Sequence, residues 1–405
     1  MIHKRMETGR PETALLLRCA SARLGPEEGS GLADALQKGL DWELLFRLAV
    51  RHRVVPLVFH NLSKWAAPRA PEGLLGRLRS LHLGNLAGNV RKAGALAGIM
   101  TALEAAGIRA AAYKGAVLAV SAYGDLGLRT FNDLDVFVGQ GDVLRALELL
   151  AVRGYRMAGT SAAGLSPPSL RLLRDVVLRD REGRVALEIQ WRLAQRYHPV
   201  FREPGDLLRR SVRLEVQGAA LRTFSAEDTL ILLCLHGLYH AWSQLQMVCD
   251  VAEHLRSARL DPGLVLELAG ENRAHGILFL GLHLARRLLD APLPNALLDA
   301  ARADRYASSL SRDLERRFFD AEPAASRARR LFFREALLLP GFGSRVRYFA
   351  GRLLTPNEED LAGRAPTCWR RLLLPVLRLL RLFRSYVLQD KKTAAGARAS
   401  GRYES

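Results

Sequence analysis

A chain of 405 residues, 49% of them hydrophobic, can bury two or three packed cores, and we expect a soluble globular protein. The net charge of +19 would suit a nucleic-acid partner, because a basic surface attracts phosphate polyanions. Only 7 of the 60 basic residues are lysines, however, and the arginine-rich bias runs along the whole chain instead of marking one patch. Nucleic acid is therefore an open but not a favoured partner.

The cysteines and the apolar segments bear on location. Four widely spaced cysteines form no C-x-x-C pair, so neither a disulfide framework nor a zinc knuckle is indicated: Cys19, Cys234, Cys249 and Cys368. No apolar run reaches the ~20 residues of a membrane span, and the first residues lack a signal-peptide pattern. We expect a cytoplasmic protein without a transmembrane segment.

The first hundred residues have the apolar spacing of helices. This spacing predicts helices over residues 12–24, 32–36, 42–52, 55–62 and about 71–106. Asp41 is a suitable N-cap for the helix that begins at Trp42. We predict that residues 1–95 form an N-terminal helical region that packs beside a sheet.

A short strand and a glycine turn follow. Residues 109–113 are predicted to form a strand that ends at Lys114-Gly115, and a helical pattern resumes directly afterwards. Such a turn lets a phosphate approach the backbone at a helix N-terminus, and a lysine adds positive charge. Lys114 is the only lysine between Lys92 and Lys391, which hints at a function that arginine cannot serve. The alternative is a solvated lysine at a strand end.

Two strands carry acidic side chains. Residues 132–138 are an apolar run that contains Asp133 and Asp135, and the two-residue period of a strand places both carboxylates on one face. In residues 184–192 apolar side chains alternate with polar ones, and Glu188 belongs to the polar face. We therefore predict that Glu188 is a third carboxylate at the edge of the same cleft.

Other segments complete a small sheet. A helix is expected over residues 142–153, and residues 159–168, rich in Gly, Ser, Ala and Pro, are the expected mobile loop. Strands are expected over residues 174–181, 184–192, 212–217 and 219–224. A turn at Glu182-Gly183 would make the first two of these strands antiparallel. We predict a core domain over residues 96–224.

Three acids on neighbouring strands suit two-metal phosphoryl or nucleotidyl transfer. Oxygen ligands are those that Mg²⁺ prefers, and the metal bridges phosphate oxygens. The third acid can ligate the metal at the attacking hydroxyl and help to remove its proton.

These motifs resemble those of the bacterial nucleotidyltransferase family proteins of the polymerase-β-like superfamily. The similar segments are Lys114-Gly115, Tyr123-Gly124-Asp125-Leu126-Gly127-Leu128-Arg129, Asp133-Leu134-Asp135 and Glu188-Ile189-Gln190-Trp191. Similarity to the family's helical parts extends the match to roughly residues 40 to 255, with weaker similarity to about residue 360. The resemblance implies an α+β fold, in which a small mixed β-sheet nucleotidyltransferase core is flanked by N- and C-terminal helical regions.

The resemblance also implies roles for individual residues. Catalysis and the binding of two Mg²⁺ ions would belong to Asp133, Asp135 and Glu188. Binding of the nucleoside triphosphate would belong to Lys114, Gly115 and Arg129. For Arg129, a structural brace of its loop is an equal alternative.

Two positions depart from the superfamily pattern. Gly115-Ala116 stands in place of Gly-Ser, with sixteen residues before Asp133 where about ten are usual. Gln190 stands where family members often have histidine two residues beyond the third acid. These departures concern nucleotide binding and acceptor chemistry. They motivate the alternative of a catalytically silent relative.

The last part of the chain is predicted to be helical over residues 225–388. Ser225 is a suitable N-cap because acidic residues follow in the first turn. His236 and His240 lie four residues apart on one helix face. They could be a packed or hydrogen-bonded pair, could contact nucleotide or acceptor, or could bind zinc, although an H-E-x-x-H motif and a third ligand are missing.

The C-terminal end has two further features. Residues 370–386 form a basic amphipathic pattern that could lie on an anionic membrane surface or pack on the protein's own core. Residues 389–405 are predicted to be a disordered tail.

We weigh three functions from the sequence. The favoured one is a Mg²⁺-dependent nucleotidyltransferase that moves NMP from an NTP to a hydroxyl or phosphate of a small molecule, peptide or protein. The second is a catalytically silent relative that binds a nucleotide or a partner. The third is a protein that modifies or binds nucleic acid, and only the net charge supports it.

Overall fold

The fold is known from a computed structural model, which describes residues 10–34, 36, 39–158, 170, 173–201, 205–320 and 324–354. A small mixed sheet has helices before and after it in the chain, so the predicted α+β class is confirmed. Three sequence predictions lie outside the described residues: the mobile loop at 159–168, the basic amphipathic helix at 370–386 and the tail at 389–405.

Five α-helices precede the sheet in the residues that the structure describes. They are α1 (Pro11–Cys19), α2 (Pro26–Asp34), α3 (Trp42–Arg51), α4 (Val55–Trp65) and α5 (Glu72–Ala105). The predicted N-cap of α3 is confirmed, because the Asp41 side chain accepts a hydrogen bond of 2.8 Å from the Leu44 amide. Helix α5 has nearly the predicted length.

Two predicted helices in this region were wrong in their bounds. Helix α1 ends five residues early, because the Asn61 amide donates to the carbonyl oxygens of Cys19 and Ser21 at 3.0 and 2.7 Å and holds that segment in another path. The helix expected over residues 32–36 instead begins at Pro26, which suits a first helical turn.

The central sheet has five strands. They are β1 (Ala110–Tyr113), β2 (Asp133–Val138), β3 (Arg156–Met157), β4 (Asp175–Arg179) and β5 (Ala186–Gln190). Their order is β1-β2-β5-β4-β3, with β2 and β5 parallel and the other pairs antiparallel. The predicted antiparallel pairing of β4 and β5 is confirmed. A separate antiparallel hairpin follows, formed by β6 (Val212–Val216) and β7 (Ala219–Thr223).

Short helices connect the strands. They are α6 (Gly115–Leu118), which continues as a π-helical turn over Ala119–Tyr123, then α7 (Val143–Val152) and α8 (Gly205–Arg209). The helical pattern predicted directly after Lys114-Gly115 is therefore present, and α7 matches the helix predicted over residues 142–153.

One face of the sheet is apolar and carries a core. Leu134 and Val136 of β2 and Leu187 and Ile189 of β5 are almost completely buried there, together with apolar side chains of α5 and α7. Burial of each such side chain contributes roughly 1.5–3 kcal/mol. The alternation seen in the sequence thus fixes which face of β2 and β5 is left for the polar side chains.

Eight helices follow the sheet in the described part of the chain. They are α9 (Ala226–Tyr239), α10 (Leu245–Ser257), α11 (Pro262–Glu271), α12 (His275–Leu289), α13 (Asn295–Ala303), α14 (Arg305–Arg316), α15 (Ala324–Leu337) and α16 (Gly341–Leu354). Ser225 caps α9 as predicted, through a 3.1 Å hydrogen bond from the Asp228 amide. None of the described helices combines the length and apolar character needed to cross a membrane.

Candidate active site

The predicted carboxylates lie together on the polar face of β2 and β5. Asp135 and Glu188 are direct register partners across the parallel pair, so their side chains leave the sheet side by side. Asp133 lies two residues earlier on the same face of β2 and is exposed at the start of the strand. All three line a cavity of about 620 Å³. The sheet therefore brings the three predicted acids to one wall of one cavity.

Asp135 is the buried member of this group, and it has two partners. The Lys114 ammonium lies 2.8 Å from Oδ1 of Asp135, and Gln190 Nε2 donates to the same oxygen at 3.1 Å. The Tyr113 hydroxyl donates in turn to the amide oxygen of Gln190. Burial raises the pKa of Asp135 from 3.8 to about 6, while Lys114 opposes the rise and the neighbouring acids add to it.

Glu188 has a carboxylate neighbour that the sequence analysis missed. Asp175, at the start of β4, lies one strand away and hydrogen-bonds to Glu188, and Arg174 contacts both acids at 2.9 Å and 3.9 Å. Burial and then Asp175 raise the pKa of Glu188 to about 8. The position of Asp175 could have been predicted from the sequence. A two-residue turn at 182–183 sets a strand register that pairs residue 175 with Gln190, two residues beyond Glu188.

The Lys114-Gly115 turn has an unusual backbone. Both residues have a positive φ, +53° for Lys114 and +37° for Gly115. A Cβ atom at Gly115 would lie 3.4 Å from the Asp133 carbonyl oxygen, so glycine suits both the conformation and the close approach. A lysine in the left-handed region is strained, and strained residues concentrate at functional sites. The turn directs the Lys114 side chain toward Asp135.

Arg129 is placed by a buried ion pair. Its Nε and Nη2 atoms each donate to one carboxylate oxygen of Asp250 on α10, both at 2.8 Å. The Tyr123 hydroxyl donates to the same carboxylate at 2.6 Å. The geometry favours the alternative in which Arg129 braces its loop, because both oxygens of a buried carboxylate already engage its guanidinium.

The long segment between the glycine turn and Asp133 is held in place along its length. Asn89 Nδ2 donates to the carbonyl oxygens of Leu126 and Arg129, both at 2.7 Å. Gln246 Nε2 donates to the Thr130 carbonyl oxygen at 2.8 Å. These side chains come from α5 and α10. The sixteen-residue spacing noted in the sequence thus consists of a helical segment that ends at Tyr123 and a loop that side chains of both helical regions hold.

The far wall of the cavity is built by the C-terminal helices. The rings of His236 and His240 have their centroids 4.5 Å apart, which agrees with a packed pair. Burial lowers the pKa of both imidazoles, and the nearby Lys114 lowers each further, so both are neutral at pH 7. Among the residues that the structure describes, no three His, Cys, Asp or Glu side chains form a group able to hold a metal as they stand.

The lining of the cavity also includes buried polar atoms without hydrogen-bond partners. These atoms are both ring nitrogens of His198, the Tyr239 hydroxyl and Oε1 of Glu335. His198 Nε2 lies 3.4 Å from that Glu335 oxygen. All three residues line the cavity. Buried polar groups are normally satisfied, so this end of the cavity can receive a polar ligand.

Comparison with known proteins shows the family of the chain. A family model described as "Uncharacterised nucleotidyltransferase" matches residues 38–290, well over half of the chain, and the chain belongs to this family. A crystal structure of an antigenic nucleotidyltransferase-like protein from Paracoccidioides brasiliensis is similar over 52% of this chain and 92% of that chain, with 17% identity and a TM-score of 0.35. No curated protein matches the chain.

Proposed function

We propose that this protein is a Mg²⁺-dependent nucleotidyltransferase of the polymerase-β-like superfamily. It would move the NMP unit of an NTP onto a hydroxyl or phosphate of a small-molecule, peptide or protein acceptor. One observation carries the proposal: Asp135 and Glu188 are adjacent across two parallel strands, with Asp133 on the same face, at the wall of a cavity of about 620 Å³. Membership of the nucleotidyltransferase family supports the class of reaction.

The donor set of the site fits Mg²⁺ in its chemistry. Asp133, Asp135 and Glu188 offer carboxylate oxygens, which Mg²⁺ prefers over nitrogen or sulfur. Burial raises the pKa values of Asp135 and Glu188, and a divalent cation would favour the ionised form of both carboxyl groups. Mg²⁺ held by these carboxylates would neutralise phosphate charge, and Lys114 would add positive charge for the triphosphate.

The proposed reaction uses the residues of this wall as follows. An oxygen of the acceptor forms a bond to the α-phosphorus, the bond to the bridging oxygen breaks, and pyrophosphate leaves with that electron pair. For a hydroxyl acceptor, the released proton would go to the carboxylate of Glu188 in its ionised form. The acceptor would occupy the far wall, where His198, Tyr239 and Glu335 offer unsatisfied polar atoms.

Transfer of label tests this proposal. The purified protein would be incubated with Mg²⁺ and with NTPs labelled at the α- or the γ-phosphate, together with fractionated small-molecule and protein pools as acceptors. We expect transfer of the α-label alone, with release of pyrophosphate, and loss of transfer in Asp135→Asn. Glu148→Gln, at an exposed carboxylate on α7 outside the cavity, is the control and should retain transfer. Transfer of the γ-label, or full transfer by Asp135→Asn, would contradict the proposal.

One observation favours a second candidate, the catalytically silent relative. Lys114 and Gln190 both already contact the Asp135 oxygen that a metal would need, so the site is satisfied without one. This candidate predicts that an NTP binds but that no α-label reaches any acceptor. The same labelling experiment, combined with an NTP-binding assay, separates the two candidates.

A further inference from the structure

The cations around the cavity differ in whether a carboxylate neutralises them. Three are paired with acids at 2.8 to 2.9 Å: Lys114 with Asp135, Arg129 with Asp250 and Arg174 with Asp175. Arg53 also lines the cavity, and its guanidinium forms neither a hydrogen bond nor an ion pair with any residue that the structure describes. Arg53 is thus a cation available to a ligand.

The turn that carries Arg53 is fixed against α10. The Leu245 amide donates to His52 Nδ1 at 3.1 Å, and the Gln246 amide donates to the His52 carbonyl oxygen at 3.2 Å. Helix α10 also supplies Asp250, the partner of Arg129, so the turn and the loop before Asp133 are held by one helix. The N-terminal helical region thereby contributes a side chain to the wall of the cavity.

The backbone conformation of Arg53 indicates that its side chain has a function. Arg53 has a φ of +59°, a conformation that glycine adopts without strain and that arginine rarely adopts. Glycine would therefore serve the turn better. An arginine that lines the cavity at this position indicates that its side chain has a function there.

Lys92 on α5 is a second cation near Asp133. Its Nζ donates to the Phe131 carbonyl oxygen at 2.5 Å and lies 4.8 Å from the centroid of the Phe131 ring. Phe131 lines the cavity and precedes Asp133 by two residues. Burial lowers the pKa of Lys92, Asp133 opposes this, and Arg53 and Arg91 lower the pKa further. Lys92 is thus held beside the segment that leads to Asp133.

We infer that Arg53 and Lys92, here called the rim cations, bind the triphosphate of the NTP. A polyphosphate carries negative charge that both cations would attract, and the arginine fork can bind two phosphate oxygens at once. The rim cations would hold the phosphates beside Asp133, while Lys114 and Arg129 are engaged by carboxylates in the ligand-free protein. The identity of the ligand rests on the proposed function, whereas the anion site rests on the geometry.

Binding of inorganic tripolyphosphate tests the inference without metal, base or acceptor. Titration calorimetry would compare the wild-type protein with Arg53→Gly and Lys92→Met. Because charge-assisted bonds to phosphate are lost, we expect each variant to bind at least about tenfold more weakly. Arg53→Gly suits the backbone at this turn, so its melting temperature should stay within about two degrees of the wild type. Arg79→Ala, at an exposed arginine of α5, is the control for loss of one positive charge and should bind as the wild type does.

The outcomes separate this inference from the proposed function. Wild-type affinity in both rim variants, or no binding of tripolyphosphate by the wild type, would overturn the inference. If α-label transfer then proceeds with an unchanged KM for NTP in both variants, the proposed function stands without the rim site. If tripolyphosphate binding depends on the rim cations but no label is transferred, the rim site stands and the transferase proposal fails.

Discussion

The Lys114 ammonium lies 2.8 Å from Oδ1 of Asp135, and this contact joins the glycine turn to the strand of paired acids. The Asp135 side chain is only 4% exposed, so little water competes with Lys114 for its charge. The turn that carries Lys114 has a strained, left-handed backbone. Lys114 therefore neutralises the charge of Asp135.

Replacement of Lys114 by methionine should destabilise the protein in a pH-dependent way. At pH 8 Asp135 is ionised, since its pKa is about 6, and loss of the lysine leaves a buried charge without its cation. The expected loss is about 3 kcal/mol in the free energy of unfolding. At pH 5 Asp135 is mostly protonated, so the loss should be smaller. Urea denaturation at both pH values checks this, and an equal loss at pH 5 and pH 8 would contradict it.

Glu188 should make the ligand-free protein less stable as the pH rises. Burial and then Asp175 raise its pKa from the ordinary 4.5 to about 8, so ionisation is harder in the folded than in the unfolded chain. Its contribution to stability is fully present below about pH 4.5 and is lost as the pH rises through about 8. Glu188→Gln cannot ionise, and it should therefore melt at a higher temperature than the wild type at pH 8.5.

Melting at low pH is the control for the predicted effect of Glu188→Gln. At pH 4.5 the advantage of Glu188→Gln over the wild type should shrink, because the wild-type side chain is then protonated in the folded state. Glu148→Gln, at an exposed side chain, should show no such dependence. The assignment of the raised pKa to Glu188 is wrong if both variants follow the wild type at every pH.

The ion pair between Arg129 and Asp250 should be important for folding. Asp250→Asn leaves the buried guanidinium of Arg129 without its carboxylate, and we expect a loss of about 3–5 kcal/mol in urea denaturation. The exposed pair of Arg77 and Glu43 is a matched control, and Glu43→Gln should change stability little. If Asp250→Asn were as mild as Glu43→Gln, Arg129 would not be a brace.

Replacement by alanine should lower the free energy of unfolding at Gly115 but not at Gly84. Gly115→Ala places a Cβ 3.4 Å from the Asp133 carbonyl oxygen at a φ of +37°, and we expect a loss of about 1–2 kcal/mol. Gly84→Ala lies on α5 with open space around the new methyl group, and it should stabilise the helix by up to about 1 kcal/mol. Thermal unfolding of both variants compares the two sites, and equal effects would contradict the close approach at Gly115.

Local patterns predicted the parts of the fold that depend on neighbours in the chain. The alternation in residues 184–192 gave the faces of β5, and the turn at residues 182–183 gave its pairing with β4, from which the place of Asp175 could also have been found. The spacing of Asp133 and Asp135 gave their shared face of β2. These features depend on strand periodicity and turn length, which a short stretch of sequence determines.

Other features depend on contacts between distant segments, and no local pattern predicted them. Helix α1 ends at Cys19 because Asn61, 42 residues away, binds the carbonyl oxygen there. Arg129 is engaged by Asp250, 121 residues further along, so that the choice between brace and nucleotide ligand needed the packing of α10. Arg53 enters the cavity only because its turn docks on the same helix. Such pairs are decided by how helices pack on the sheet.

The proposed function requires a metal-dependent nucleotide site at Asp133 and Asp135. The most direct test is a thermal-shift panel of the wild-type protein and the Asp133→Asn/Asp135→Asn variant with ATP, GTP, CTP and UTP, each with and without Mg²⁺. We predict that at least one NTP stabilises the wild type only with Mg²⁺, by about 2.7 kcal/mol at a hundred times its Kd, and leaves the variant unchanged. An equal response of both proteins, or no response of the wild type to any NTP with Mg²⁺, would contradict the claim.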